Sequence, residues 1–255
     1  MYEKSECTVP AIHADGLVKR FGNVTAVRGA SFDVESGSLF SLLGVNGTGK
    51  TSTIRMLTGL LRPDEGHASI CGLDLADKNV SRLIGLSPQE TSTAGNLTVR
   101  ENLVMTAKIY GFRDASRRAD DIIDRLSLAE FAGRRSKHLS GGLRRRLSIG
   151  MGMVTDPKVL FLDEPTLGLD VIARRELWRF IEELKRSVTI VLTTHYMEEA
   201  EALSDKIAVM ADGTVRASGT LDELRTVSGC SPDESLENVF IKLAGCPTTE
   251  GGEFK

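Results

Sequence analysis

Gly44-Val45-Asn46-Gly47-Thr48-Gly49-Lys50-Thr51 fits the pattern G-x-x-x-x-G-K-[ST]. Gly44, Gly47 and Gly49 free the backbone so that the N–H groups of this stretch, Asn46 and Thr48 included, can turn toward one anion. A helix starting near Gly49 would add its positive end. Lys50 offers a point charge to β- and γ-phosphates, and Ser52 a hydroxyl to an α-phosphate. The Thr51 oxygen suits Mg²⁺, a hard cation. A glycine-rich structural turn would leave Lys50 and Thr51 without a task, whereas a nucleoside triphosphate site uses every position.

A second group of reactive side chains follows the apolar run Val159-Leu160-Phe161-Leu162. Asp163 and Glu164 fall at the end of what reads as a buried strand, where ligands of open α/β sheets sit. Strand alternation points the two carboxylates in different directions and so toward different tasks. Asp163 is expected to hold Mg²⁺. Glu164 is left to orient or deprotonate an attacking water, a contribution of typically about 10²–10⁴-fold. Pro165 fixes the turn that follows.

The elements around these residues read as follows. Residues 9–40 form short strands punctuated by Gly16, Gly22, Gly29 and Gly37, as in an antiparallel sheet. Leu39–Leu43 is a strand running into the glycine loop, and the helix after the loop extends to about Leu60. Helical periodicity follows from about Gln89, with helices over Val99–Tyr110, Ala115–Leu128 and Gly141–Val154. Strands at Val159–Leu162, Thr189–Thr193, Lys206–Met210 and Thr214–Ala217 alternate with helices at Ile172–Arg186 and Tyr196–Leu203. Leu236, Val239, Phe240 and Leu243 share one helix face, spaced for docking on the body of the protein.

Composition narrows the classes further. The 255 residues are 41% hydrophobic and 26% charged, values ordinary for a globular chain of one large domain. Net charge is −3 and aromatics make up 5%, so neither charge nor base-stacking surface points to nucleic acid. Cys7, Cys71, Cys230 and Cys246 form no metal-binding spacing, so no metal cluster is expected and thiols in a reducing compartment are the simplest reading. Met1–Pro10 is polar and unlike a signal peptide. No run approaches the roughly 18 apolar residues of a membrane span, so work at a membrane would need another chain to cross it.

Leu139-Ser140-Gly141-Gly142 begins a helix, and Ser140 precedes Asp163 by 23 residues. With the glycine loop and the acidic pair, this arrangement resembles the ATPases of ABC transporters, over about Ala11–Gly245. The resemblance implies a P-loop α/β fold with a RecA-like core, an N-terminal antiparallel β subdomain and an inserted α-helical subdomain. The core is placed at 8–88 and 156–228, the helical subdomain at 89–155, a C-terminal helix at 229–246 and a disordered tail at 247–255.

In this family the segment at Ser140, Gly141 and Gly142 serves ATP held by a second subunit, so two head-to-tail copies or homologues sandwich two nucleotides. Physical reasoning agrees: Ser140 is a good N-cap, and a helix start presents N–H groups to an anion. Leu143 departs from the family, which commonly has Gln there, and this puts that side chain's contact in doubt. Arg144, Arg145 and Arg146 oppose the helix dipole, which points to a nearby anion or to a solvated face.

By the same resemblance Phe21 stacks on adenine. Gln89 joins the sheet to the helical block and senses Mg²⁺ or water. Asp170 crosses the dimer interface, and His195 bonds the γ-phosphate and orients Glu164. Thr194-His195-Tyr196-Met197-Glu198-Glu199-Ala200-Glu201 and Leu236-Glu237-Asn238-Val239-Phe240 narrow the resemblance to drug-resistance and ABC-2-type exporters. The implied function is an ATP-hydrolysing subunit at the cytoplasmic face of the membrane, driving a separate membrane-spanning permease. A soluble ABC-type ATPase, such as one for cluster assembly, stays open as the alternative. A GTPase is disfavoured because no N-K-x-D motif is found.

Overall fold

Leu39–Leu43 (β3) is buried at every position, which a strand achieves only inside a sheet covered on both faces. This computed structural model describes residues 9–245; the tail expected at 247–255 lies outside the described residues. Before β3 come β1 (Ile12–Phe21) and β2 (Val24–Val34). After it, in chain order, come α1 (Lys50–Leu57), β4 (Glu65–Ile70), β5 (Leu73–Asp74), α2 (Val80–Leu83) and β6 (Ile84–Ser87). The helical stretch is α3 (Val99–Ile109), α4 (Ala115–Arg125) and α5 (Gly141–Met153). The chain continues through β7 (Val159–Asp163), α6 (Val171–Lys185), β8 (Thr189–Thr194), α7 (Met197–Leu203), β9 (Lys206–Ala211) and β10 (Thr214–Gly219). It closes with α8 (Leu221–Ser228) and α9 (Leu236–Ala244).

Two sheets result. The larger has the order β10-β9-β3-β8-β7-β6 and is parallel except for β10. Its three central strands, β3, β8 and β7, end level with one another: Leu43 pairs with Thr194, and Asp163 with Thr193. The smaller sheet, β2-β1-β4-β5, is antiparallel. Its β1–β2 hairpin turns on Gly22 and Asn23, with φ of 56° at Gly22. The sheets meet where Arg28 N donates to Gly213 O at 2.7 Å. One apolar cluster joins β1, β2, β4 and α1 to one face of the larger sheet. A second joins α3, α4, α5 and α6 to Leu160, Leu162, Ile190 and Leu192. The helical block therefore shares its core with the sheet.

Two departures from the sequence expectation have clear causes. The first helix stops at Leu57, not Leu60: the Thr58 hydroxyl donates to Ile54 O at 2.9 Å and Gly59 takes a left-handed φ of 72°. The fourth helix stops at Arg125, yet Leu126 and Leu128 stay buried, so their apolar spacing continues past the helix end. Strands β4, β5 and β6 and helices α2 and α8 have too little periodicity to be read in advance; β4, for example, is Glu-Gly-His-Ala-Ser-Ile. The terminal helix α9 buries Leu236, Val239 and Phe240 against β9 and α7, as its spacing requires, with Leu243 partly covered.

The seat of α5 on β6 depends on two glycines. A Cβ at Gly85 would lie 2.2 Å from Gly152 O, and one at Gly152 would lie 3.0 Å from Leu86 O. Gly85→Ala is therefore expected to destabilise the chain by about 1–3 kcal/mol in urea unfolding. Gly133→Ala, with open space around it, should stay within about 0.5 kcal/mol of the parent. Equal midpoints for the two variants would remove this account of the α5 seat.

Candidate nucleotide site

The loop between β3 and α1 is shaped by its glycines. Gly47 and Gly49 have φ of 85° and 96°, a region L-residues rarely adopt. A Cβ at Gly44 would meet Met210 O at 2.5 Å, and one at Gly49 would meet Ala26 O at 2.5 Å. The loop is thus wedged between β9 and β2, with its shape set by backbone contact. The Lys50 side chain is buried; its ammonium donates to Gly44 O at 2.6 Å and Val45 O at 3.2 Å, and pairs with Glu164 Oε1 at 3.3 Å. Thr48 Oγ1 donates to Val45 O at 2.9 Å. Asn46 and Gly47 are exposed at the loop tip, and Ser52 is half-buried on the first turn of α1.

Asp163 and Glu164 meet this loop from β7. Asp163 Oδ1 accepts from Thr51 Oγ1 at 3.2 Å and from Thr193 Oγ1 at 2.6 Å. Strict alternation would send Glu164 to the other face, but its φ of 48° is left-handed and returns its carboxylate to the same cradle. There Glu164 Oε2 lies 2.7 Å from His195 Nδ1. The expectation that the two carboxylates diverge is met in partners, not in place: Thr51 and Lys50, adjacent at the start of α1, receive them.

Thr193, which sequence reasoning passed over, ties the pair together. Its hydroxyl donates to Asp163, and the Glu164 N–H donates to Thr193 Oγ1 at 2.9 Å. The signal was two threonines closing an apolar strand. The oxygens of Thr51 and Asp163 make a donor set suited to a hard cation, so the residues fit the Mg²⁺ that the family pattern implies.

The other expected residues lie outside this cluster. Ser140 caps α5, its hydroxyl accepting from Leu143 N at 3.3 Å, and the Leu143 side chain packs partly into the helical core. Ser140 and Gly141 are exposed, and a Cβ on Gly141 would meet Leu169 at 3.0 Å. Asp170 caps α6 by accepting from Ile172 N and Ala173 N, both at 2.9 Å. Among the described residues, no hydrogen bond or ion pair links Ser140, Gly141, Gly142 or Asp170 to residues 44–52. Phe21 is 50% exposed at the end of β1, beneath Lys19, so it is no core residue. Gln89 is exposed just past β6.

The three arginines separate. Arg144 is exposed, and Arg146 lies 5.3 Å over the Phe180 ring. Arg145 is buried and donates to Pro88 O at 2.7 Å, to Gln89 O at 2.9 Å and, more weakly, to Glu164 O at 3.5 Å. Its charge is held by carbonyls. Burial lowers its pKa against the opposing pull of Asp163 and Glu199. Glu199 itself was missed by sequence reasoning. It is fully buried on α7 and accepts from Trp178 Nε1 at 3.1 Å.

The family model described as "ABC transporter" matches residues 27–167. A daunorubicin resistance ATP-binding protein of Streptomyces coeruleorubidus is 41% identical over 86% of this chain and 71% of its own length. A Nod factor export ATP-binding protein of Ralstonia nicotianae is 40% identical over 86% of this chain and 70% of its own length. A solved ATP-binding subunit of an ABC transporter superposes with a TM-score of 0.79 at 29% identity, covering 91% of this chain and 99% of that one.

Burial pushes the Glu199 carboxyl above the usual carboxylate range, and Glu164 adds in the same direction; Thr194, Thr166 and the Trp178 indole oppose it. Between its unfolded and folded pKa values the folded chain holds a proton that the unfolded chain releases. Its contribution to stability is therefore complete below the unfolded value and declines as pH rises through the folded one. Glu199→Gln keeps the shape and cannot ionise. Its unfolding free energy relative to the parent is expected to rise steadily from acid to neutral pH in paired urea titrations. Parallel stability curves would rule out this titration.

Proposed function

The chain belongs to the ABC transporter family as one of its ATP-binding, ATP-hydrolysing subunits, and from this we propose that it clasps Mg²⁺-ATP between two head-to-tail subunits and drives a separate membrane-spanning permease. One observation carries the reading: Lys50, Thr51, Asp163, Glu164 and His195 converge at the ends of β3, β7 and β8, while the helix tip at Ser140 and Gly141 stands exposed elsewhere on the same chain. One molecule holds both halves of a phosphate clamp but does not close them on each other. A second copy or a homologue closes them.

In the proposed cycle the glycine loop and Lys50 bind the phosphates, and Phe21 stacks on the adenine. Thr51 and Asp163 would hold Mg²⁺, which when bound would screen the charge of the β- and γ-phosphates, and Gln89, exposed after β6, would reach the ion or the attacking water only as the site closes. Glu164 orients the attacking water and takes its proton, with its carboxylate steadied by His195 Nδ1 at 2.7 Å. The partner's signature tip and Asp170 complete the site and exclude water. After hydrolysis, charge repulsion opens the interface.

Among the described residues no helix is long and apolar enough to cross a membrane. The helical block instead carries an apolar groove lined by Leu97, Val104, Met105, Ile109 and Ala132, with Ile109 75% exposed. This face supports docking of a permease and a peripheral position at the cytoplasmic side. Relatives whose names record daunorubicin resistance and Nod factor export support an exporter, with drug-like or lipophilic cargo.

Glu164→Gln should bind ATP normally, lose at least about 100-fold in turnover, and accumulate as an ATP-trapped dimer in size-exclusion chromatography. Ser140→Arg should bind ATP as a monomer and fail to dimerise. Undiminished hydrolysis by Glu164→Gln would overturn the assigned base; a strictly monomeric, fully active parent would overturn the clamp.

A further inference from the structure

His195 is held to Glu164 by one hydrogen bond, and a single bond leaves an imidazole free to swing about it. Its ring face is covered by the next residue. The Tyr196 ring centroid lies 4.1 Å from that of His195 at 38°. On Tyr196, in turn, lies the Arg174 guanidinium, with Cζ 4.4 Å from the ring centroid, well inside cation–π range.

Neither neighbour is there by default. Adjacent side chains face each other only where the chain bends; it bends at His195, and Tyr196, which precedes α7, donates its N–H to Thr194 Oγ1 at 2.9 Å. Arg174 reaches in from the first turn of α6 and makes no ion pair among the described residues. Among the described residues its buried Nε has no hydrogen-bond partner. An arginine that leaves a buried donor unpaired is placed for its guanidinium face, not for its hydrogen bonds.

We propose that Arg174 and Tyr196 are positioning residues for hydrolysis, a guanidinium–phenol–imidazole stack that fixes the plane of His195 against Glu164. The proposal rests on the reading of His195 and Glu164 as the hydrolytic pair. It adds a route by which α6, whose exposed Val171 and Ile172 follow the Asp170 cap, reaches the histidine. Neither residue touches ATP in this scheme; both act through the orientation of one ring.

The test uses the full chain, with turnover, KM for ATP and thermal stability measured together. Tyr196→Leu and Arg174→Met are expected to lower kcat about tenfold while KM shifts less than about twofold. Tyr196→Phe, which keeps the ring, should retain kcat within about twofold. In a His195→Ala background, Tyr196→Leu should cost nothing further, because both changes break one path. Full kcat in Tyr196→Leu and Arg174→Met, a loss that Tyr196→Phe shares, or an added loss in the His195→Ala background would each overturn the proposal. Glu164→Gln serves as the control: if it hydrolyses ATP at the parent rate, the hydrolytic pair is misassigned. If it is inactive while Tyr196→Leu and Arg174→Met keep the parent kcat, the stack alone is.

Discussion

A single carboxylate oxygen holds the ends of three strands together. Asp163 Oδ1, at the end of β7, takes hydroxyls from Thr193 at the end of β8 and from Thr51, just past the loop that ends β3. That is possible because parallel pairing brings these strands to a common level. In an open parallel sheet the strand ends form the rim where backbone groups lack ladder partners and ligands bind. The apolar clusters on both faces bury the strands and make that rim rigid. Chemistry at the rim inherits its precision from burial several residues away.

The glycine loop illustrates the same dependence from the other side. Its curve is enforced by Met210 O against Gly44 and Ala26 O against Gly49. Through Ala26 the antiparallel sheet thus acts as a wall behind the glycine loop. Arg145 does a related task across the chain, reaching from the signature helix to the carbonyls of Pro88, Gln89 and Glu164. A buried cation satisfied by carbonyls is costly to strand, so α5, the segment after β6 and the turn at Glu164 are tied to one another.

Much of this was legible from residue types. The G-x-x-x-x-G-K-[ST] pattern, the acids ending an apolar strand and the histidine ending another each have a local chemical meaning, and the structure gathers all three. The apolar spacing of Leu236, Val239 and Phe240 likewise gave a buried helix face. What escaped was whatever depends on long-range packing. Thr193 and Glu199 look unremarkable in sequence, because their importance comes from neighbours 30 and 21 residues away. Strand β6 is four residues containing a glycine, and only its neighbour β7 and the close approach of Gly152 make it a strand. Arg145 could not be told from Arg144 until one was buried and the other was not.

The backbone at Glu164 carries a further consequence. A non-glycine residue held at a φ of 48° stores on the order of 1–3 kcal/mol of strain, and glycine would release it. Glycine would also remove the carboxylate that faces the buried Lys50 ammonium at 3.3 Å, and leaving such a charge unpaired costs about 3–5 kcal/mol. The strain of the turn is smaller than the cost of stranding that charge, so the packing of the strand ends itself favours an acid here. A twisted backbone and a buried ion pair thus hold each other in place at one residue.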